Sequence, residues 1–328
     1  MRYKLLSEVF EEYLRKNQRL RWNTVDGRTR AWGKLIKAKG DMNVSDFNYD
    51  DAEDFQEYLF DEGLSPGSVK SYIKKVKTVF NWAWFKGYRE GDPFSGLRLP
   101  KIPQSEIHVY SNAELTAMLA SANDIRQKNP IMWRARIVAA ASAGLRRGEV
   151  LNLKVNDVDF DRGEIKVQAN KETRETWPFC PKDYESRRLP LTEQLNNLLV
   201  RRLEYLPVGQ PYLMITAKRY WWLQQLRKKG KMSPRMMVNP DENFSKPFKR
   251  ILQRAGISNG CFQDLRKTAI TNWFLPESGL SPKEVQQLAG HSDIETTMYY
   301  YAACRPDIVD RARQAWAIGA TGLEPATS

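Results

Sequence analysis

Apolar side chains recur at Leu6, Val9, Phe10, Tyr13 and Leu14 with charged residues between them, the spacing of one buried helical face. The same period runs through "YDDAEDFQEYLFDEG" (49–63) and "SPGSVKSYIKKVKTVFNWAWFKG" (65–87). The latter opens on a Ser-Pro start signal and stops at Gly87. Its apolar seam is Tyr72, Ile73, Val76, Val79, Phe80 and Trp84, and its basic face carries Lys70, Lys74, Lys75 and Lys77. Residues 1–92 therefore read as a small all-helical domain. Residues 93–106, within "DPFSGLRLPKIPQSE", hold three prolines and no apolar period, which predicts a linker.

A second unit follows over 107–316. Ser111 and Glu114 have capping-box spacing, and "IMWRARIVAAASAG" predicts a helix ending at a glycine. "VNDVDFDRGEIKVQA" alternates apolar and polar positions around an Asp-Arg-Gly turn, the pattern of a β-hairpin, and a further strand ends in "RRLPL". From about residue 192 the helical period returns in "LTEQLNNLLVRRLEYL" and "NFSKPFKRILQRAGI". Residues 317–328 are small and polar, an expected disordered tail. The fold class predicted is mainly α with a small antiparallel β-hairpin, in two domains.

Charge narrows the function. Fifty-two Lys and Arg face 39 Asp and Glu, a net charge of +13, while hydrophobic residues at 41% are ordinary for a globular chain. Such an excess points to a polyanionic partner, nucleic acid first. The first fourteen residues are broken by charges and no later stretch is apolar enough to span a bilayer, so a cytoplasmic protein without a membrane partner is expected. Cys180, Cys261 and Cys304 lack paired spacing and read as reduced thiols.

Candidate chemistry lies in three separated stretches. "AGLRRGEV" (143–150) sets Arg146 after a glycine, with Glu149 three residues on. "QDLRKTAITNW" (263–273) sets Arg266 and Lys267 near a helix start. "AGHSDIETTMYYYA" (289–302) carries His291, one of two histidines in the chain, ahead of Tyr299, Tyr300 and Tyr301. Each alone is weak, because an arginine at a helix start is ordinarily a surface residue. Asp157, Asp159 and Asp161 fail the calcium-loop pattern, with Arg162 and Gln168 where glycine and the closing carboxylate belong, and read as turn and strand-edge carboxylates. "RYWWLQQLRKKGK" (219–231) reads as two core tryptophans on a helix with a basic exit rather than a base-stacking platform.

Taken in order, Arg-x-x-Glu, a hairpin lysine, Leu-Arg, Gly-His and Tyr resemble the tyrosine recombinases, the phage-integrase and Xer-type site-specific DNA recombinases. The resemblance covers about residues 1–315 and implies a helical core-binding domain followed by a mixed α/β catalytic domain. It implies Arg146 and Arg266 as the phosphate-binding arginines, Glu149 as a buried support, His291 as the third-motif histidine, and Tyr300, nine residues later, as nucleophile. The family lysine commonly precedes the proline of the closing strand by eight residues. Lys182 meets that spacing with Pro190 and is preferred over Lys171. Gln263 departs from the resemblance, since members mostly carry His or Lys there; glutamine donates a hydrogen bond but moves no proton at neutral pH.

The resemblance further implies strand cleavage and rejoining through a covalent 3′-phosphotyrosyl intermediate, without ATP, metal or other cofactor. It implies double-stranded DNA as partner and a homotetramer on two DNA sites, serving integration or recombination of a mobile element. Lys70, Lys74 and Lys77 are the candidate DNA contacts on the helical domain. A catalytically impaired DNA-binding protein of the same fold is the alternative, and Gln263 is its support. No arm-type segment precedes the helical domain, which leans away from the largest phage integrases.

Overall fold

The computed structural model describes residues 3–102, 106–123, 130–182 and 186–303. Cys304 and the expected tail at 317–328 lie outside these residues. Two compact units divide between residues 105 and 106.

The N-terminal unit is a four-helix cluster: α1 (Leu6–Lys16), α2 (Trp22–Lys39), α3 (Tyr49–Asp61) and α4 (Pro66–Phe85). Helix α4 begins where Ser65 Oγ accepts the Ser68 amide and Pro66 presets the first turn. Its buried seam is Val69, Ile73, Val76, Val79, Phe80 and Ala83; Trp84, placed in the seam by spacing alone, is 48% exposed. Helix α2 is not anticipated by the sequence pattern, because Gly27, Gly33 and scattered cations dilute its apolar face. It nonetheless supplies Trp32, whose indole packs on Phe10 and donates to the Leu6 carbonyl at 3.0 Å. The segment after Gly91 is not a free linker at its start. Phe94 is buried among these helices and Leu97 and Leu99 pack against them, so the unit extends past residue 92.

The C-terminal unit is built around α6 (Pro130–Ala143), which is buried on every side and so sits centrally. It packs against α8 (Glu193–Glu204) and α12 (Phe262–Asn272). Helix α5 (Asn112–Ser121) starts at the Ser111–Glu114 capping box. After α7 (Arg147–Leu151), β1 (Val158–Asp159), β2 (Glu164–Val167) and β3 (Arg187–Pro190) form an antiparallel sheet in that order. Ile165 pairs with Leu189 and Val167 with Arg187, and since alternate strand residues share a face, Arg187 points inward with Leu189. Asp157 and Asp159 act as turn acceptors: Asp157 takes the Gln168 amide at 2.9 Å and Asp159 the Arg162 amide at 2.9 Å.

Between β2 and β3 the chain makes a second hairpin in which Asn170 and Phe179 exchange backbone hydrogen bonds. Its Trp177 is fully buried, stacked on Tyr212 at 4.1 Å beside Tyr220 and Leu223 of α9 (Ala217–Lys228). On α9 the tryptophans differ from the sequence reading. Tyr220 fills the core, whereas Trp221 is 46% and Trp222 39% exposed, the latter under the Arg219 guanidinium at 4.2 Å. Helices α10 (Pro234–Val238), α11 (Ser245–Arg254), α13 (Pro282–Ala289) and α14 (Ile294–Ala303) complete the unit. Among the described residues no helix is long and apolar enough to cross a membrane.

Candidate active site

Two glycines in the left-handed region set the geometry. Gly144, φ +64°, ends α6, and a Cβ there would lie 2.6 Å from Trp273 Cη2, so a larger residue cannot enter. Gly290, φ +60°, ends α13, and a Cβ there would press on Arg187 Cδ at 3.2 Å. The carbonyls at these turns receive the two arginines singled out in the sequence. Arg266 donates from Nη1 to Gly144 O and from Nη2 to Ala289 O. Arg146 donates from Nη2 to Gly290 O at 2.6 Å. Residues 120 apart in sequence are thereby tied to the same turn after α13.

Arg266 is 2% exposed; burial, then the Arg146 charge, push its guanidinium down to about 9, which leaves it protonated at neutral pH. Arg146 caps α7, and Glu149 accepts both its amide at 2.9 Å and its Nη1 at 3.1 Å. Glu149 is itself buried. Burial raises its carboxyl, but the hydrogen bond and charge of Arg187, with Arg146 and Arg266 behind them, more than offset this and hold it below the usual carboxylate range.

Arg187 is the residue sequence reasoning missed. It grips Glu149 with both Nη atoms, at 3.0 and 2.7 Å, and donates from Nε to Leu288 O at 2.9 Å. The signal was present: two residues before Leu189 on a strand, it had to share the inward face.

His291 follows Gly290 directly. Its backbone is held at both ends by Gln286, whose carbonyl accepts the His291 amide and whose side chain donates to the His291 carbonyl. Its Nδ1 lies 2.9 Å from Thr297 Oγ1, and its ring lies nearly parallel to that of Tyr300, centroids 5.9 Å apart. Burial, then the charges of Arg266, Arg146, Arg187 and Lys182, push the imidazole down to about 4, so the ring is neutral at physiological pH.

Tyr300 lies one helical turn beyond Thr297 on α14. Burial raises its phenol, opposed by Lys267 and Arg266. The three tyrosines separate cleanly. Tyr301 packs edge-on to Phe274 at 5.2 Å in the core, and Tyr299 is 38% exposed against the Tyr300 ring edge. Tyr300 sets its ring against His291, and its phenol feels the charge of Arg266. Lys267, four residues before Thr271 on α12, is tied to Asp264 at 2.6 Å.

Lys182 is exposed, yet its charge reaches His291; Lys171 is exposed on the second hairpin, where its carbonyl accepts the Thr176 hydroxyl. Gln263 is exposed on the first turn of α12, and Arg147 is exposed beside Arg146. In the N-terminal unit Lys74 is exposed and Lys70 half-buried, while Lys77 is ion-paired with Asp92 at 2.6 Å.

Residues 109–305 match the phage integrase family and residues 5–101 the phage integrase SAM-like domain. The chain is 30% identical over 272 residues to a XerC-like tyrosine recombinase of Caldanaerobacter subterraneus, an alignment spanning 76% of this chain and 65% of that protein. It is 26% identical to the XerA tyrosine recombinase of Thermococcus kodakarensis, spanning 76% of this chain and 89% of the relative. Among solved structures it resembles the Tn1549 transposon integrase in complex with transposon right end DNA, at TM-score 0.73 and 18% identity, covering 96% of this chain and all (100%) of that one. A lambda integrase dimer bound to a core site shares the fold at TM-score 0.65 and 16% identity, covering 91% of this chain and 77% of that one.

Proposed function

The chain belongs to the phage integrase family of tyrosine-type recombinases, and we propose that it cleaves and rejoins DNA strands at a specific site through Tyr300. The observation that carries this reading is the approach of Arg146, Arg266, His291 and Tyr300 around the single turn at Ala289–Gly290.

The chemistry follows from the residue types. Tyr300 Oη releases its proton to water as it attacks the scissile phosphorus, the bond from phosphorus to the 5′ oxygen breaks, and a 3′-phosphotyrosyl link remains. The proton lost by the phenol matches the one gained by the 5′ oxygen. Negative charge gathers on the non-bridging oxygens, where Arg146 and Arg266 supply permanently protonated, fork-shaped donors. Their anchorage to backbone carbonyls fixes them before substrate arrives, and preorganised donors of this kind contribute about 3–4 kcal/mol each to transition-state binding. Glu149 and Arg187 hold Arg146 in place without meeting the phosphate. Lys182, on the segment leading into β3, protonates the departing 5′ oxygen. Attack by a 5′ hydroxyl of the partner strand reverses the step. The bond energy is conserved in the link, so the reaction as written needs no ATP, metal or other cofactor.

Duplex DNA is the substrate, held by Lys70 and Lys74 on the N-terminal unit together with Gln263 and Lys267 near the phosphate. Two DNA sites are exchanged by a homotetramer, in the cytoplasm where the DNA lies. The lambda integrase tetramer bound to a Holliday junction, similar in fold, is consistent with that assembly.

The test is a nicked suicide duplex carrying the protein's target site, incubated with purified protein in EDTA. A covalent protein–DNA adduct is expected. If the protein binds the site but forms no adduct, the DNA-binding protein without turnover is the better reading.

A further inference from the structure

We infer that Thr297 is a positioning residue that holds His291 as its Nε2–H tautomer, so that the imidazole presents a hydrogen-bond donor, and not a base, to the reacting phosphate. The inference rests on the recombinase reading for its consequence, though not for its geometry.

Thr297 is fully buried on α14, three residues before Tyr300. A threonine hydroxyl within a helix commonly donates to the carbonyl four residues back. Thr78, Thr116 and Thr268 do so in this chain. Thr297 does not; among the described residues its one hydrogen-bond partner is His291 Nδ1, at 2.9 Å. That leaves two arrangements of protons. If Nδ1 carried the hydrogen, it would donate to Thr297 Oγ1, and the threonine proton would be buried with no acceptor, the costly way to leave a polar group. If Thr297 donates, its proton and the Nδ1 lone pair satisfy each other, and the ring proton must sit on Nε2.

The surroundings keep the ring in this neutral form. The charges that act on it come from four places: Arg266 on α12, Arg146 ahead of α7, Arg187 on β3 and Lys182 ahead of β3, all cationic. Tyr300 lies across the ring face on its own helix. A ring whose Nδ1 lone pair is taken by Thr297 and whose Nε2 carries hydrogen has no lone pair left for the Tyr300 proton. Its remaining function is donation from Nε2 to a non-bridging phosphate oxygen.

The chain has two histidines, which makes the tautomer measurable directly. Full-length protein labelled with 15N-histidine, with His108→Gln as the assignment control, is examined by ring nitrogen shifts at neutral pH without DNA. An unprotonated Nδ1 and a protonated Nε2 are expected for His291. Thr297→Val removes the donor at nearly constant shape; it should shift the tautomer balance and slow adduct formation on the order of tenfold. Thr297→Ser should restore both. A protonated Nδ1 in the unaltered protein overturns the inference, as does Thr297→Val with an unchanged tautomer and rate. Thr297→Ser behaving like Thr297→Val also overturns it, since the hydroxyl would then be irrelevant. Absence of any adduct from the unaltered protein strikes at the recombinase reading instead, while the nitrogen shifts still decide the role of Thr297.

Discussion

Arg187 and Glu149 meet fork to fork, Nη2 to Oε2 at 2.7 Å and Nη1 to Oε1 at 3.0 Å, beneath the Arg146 guanidinium that shares the same carboxylate. Both partners are nearly inaccessible, with side chains 7% and 3% exposed. Removing one member of such a pair leaves a buried charge uncompensated, at a cost of about 3–5 kcal/mol. Because Arg146 remains on Glu149, Arg187→Ala is expected near the lower end of that range in urea unfolding. Arg187→Ala with Glu149→Gln should lose less than the sum of the two single changes, by about 1–3 kcal/mol. Strict additivity would show that the pair is not coupled.

Much of this site was legible in the sequence because its residues sit at turns with little freedom. Gly144 before Arg146 and Gly290 before His291 are fixed by φ and by space, so motif spacing survives folding. The rest depended on tertiary neighbours. Arg187 carries no motif of its own, and only the register that pairs it with Val167 and sets it on the face of Leu189 places it inside. Trp221 and Trp222 looked like core, yet the inward positions of α9 belong to Tyr220 and Leu223. Phe94 looked like linker because one apolar residue after a proline has no period, though it fills a gap among Phe47 and Phe80. Helix α2 was invisible for a related reason: its few buried residues are diluted by exposed cations and two glycines.

The nucleophile separates by environment. Tyr300→Phe is expected to abolish the adduct on the nicked substrate. Tyr299→Phe, on the exposed side, should keep it within a few-fold. Tyr301→Phe keeps the ring against Phe274 and should also cleave. An adduct from Tyr300→Phe would reassign the attacking group.

The two lysines between β2 and β3 make opposite predictions. The charge of Lys182 acts on His291, and Lys171 is exposed on the second hairpin with Thr176. If Lys182 protonates the leaving oxygen, Lys182→Ala should slow cleavage about 10²–10⁴-fold. A substrate whose 5′ oxygen is replaced by sulfur, a leaving group that needs no proton, should recover most of that loss. Lys171→Ala should cleave normally. Equal rates for Lys182→Ala and the unaltered protein would remove it from the mechanism.

On the N-terminal unit, Lys74 and Lys77 should differ in salt dependence. Each phosphate neutralised adds about 0.9 to the slope of log affinity against log salt. Lys74 is exposed, so Lys74→Ala should reduce the slope by about one. Lys77 is held by Asp92, and Lys77→Ala should change it less unless DNA displaces the carboxylate. Asp92→Asn then distinguishes the two cases: freeing Lys77 should steepen the slope if it reaches a phosphate. Titrations at several salt concentrations read this directly.

The neutral state of His291 carries a stability consequence with a definite sign. In the unfolded chain the imidazole takes up its proton near the ordinary value of about 6.5. In the fold, burial and the surrounding cations delay that to about 4. Between those values the unfolded state binds more protons, so stability is full above about pH 6.5 and is lost as pH falls toward 4. At pH 5 the loss from this one group is about 2 kcal/mol. Carboxylates titrate in the same region, so the quantity to measure is a difference. Urea unfolding of the unaltered protein and of His291→Gln, each at pH 7.5 and pH 5, should show the former losing about 2 kcal/mol more. The cleavage rate should likewise fall only near pH 4, and not at 6.5. An equal loss in both proteins would mean that the folded ring is as easily protonated as the free one, and the cationic surroundings drawn for it would be wrong.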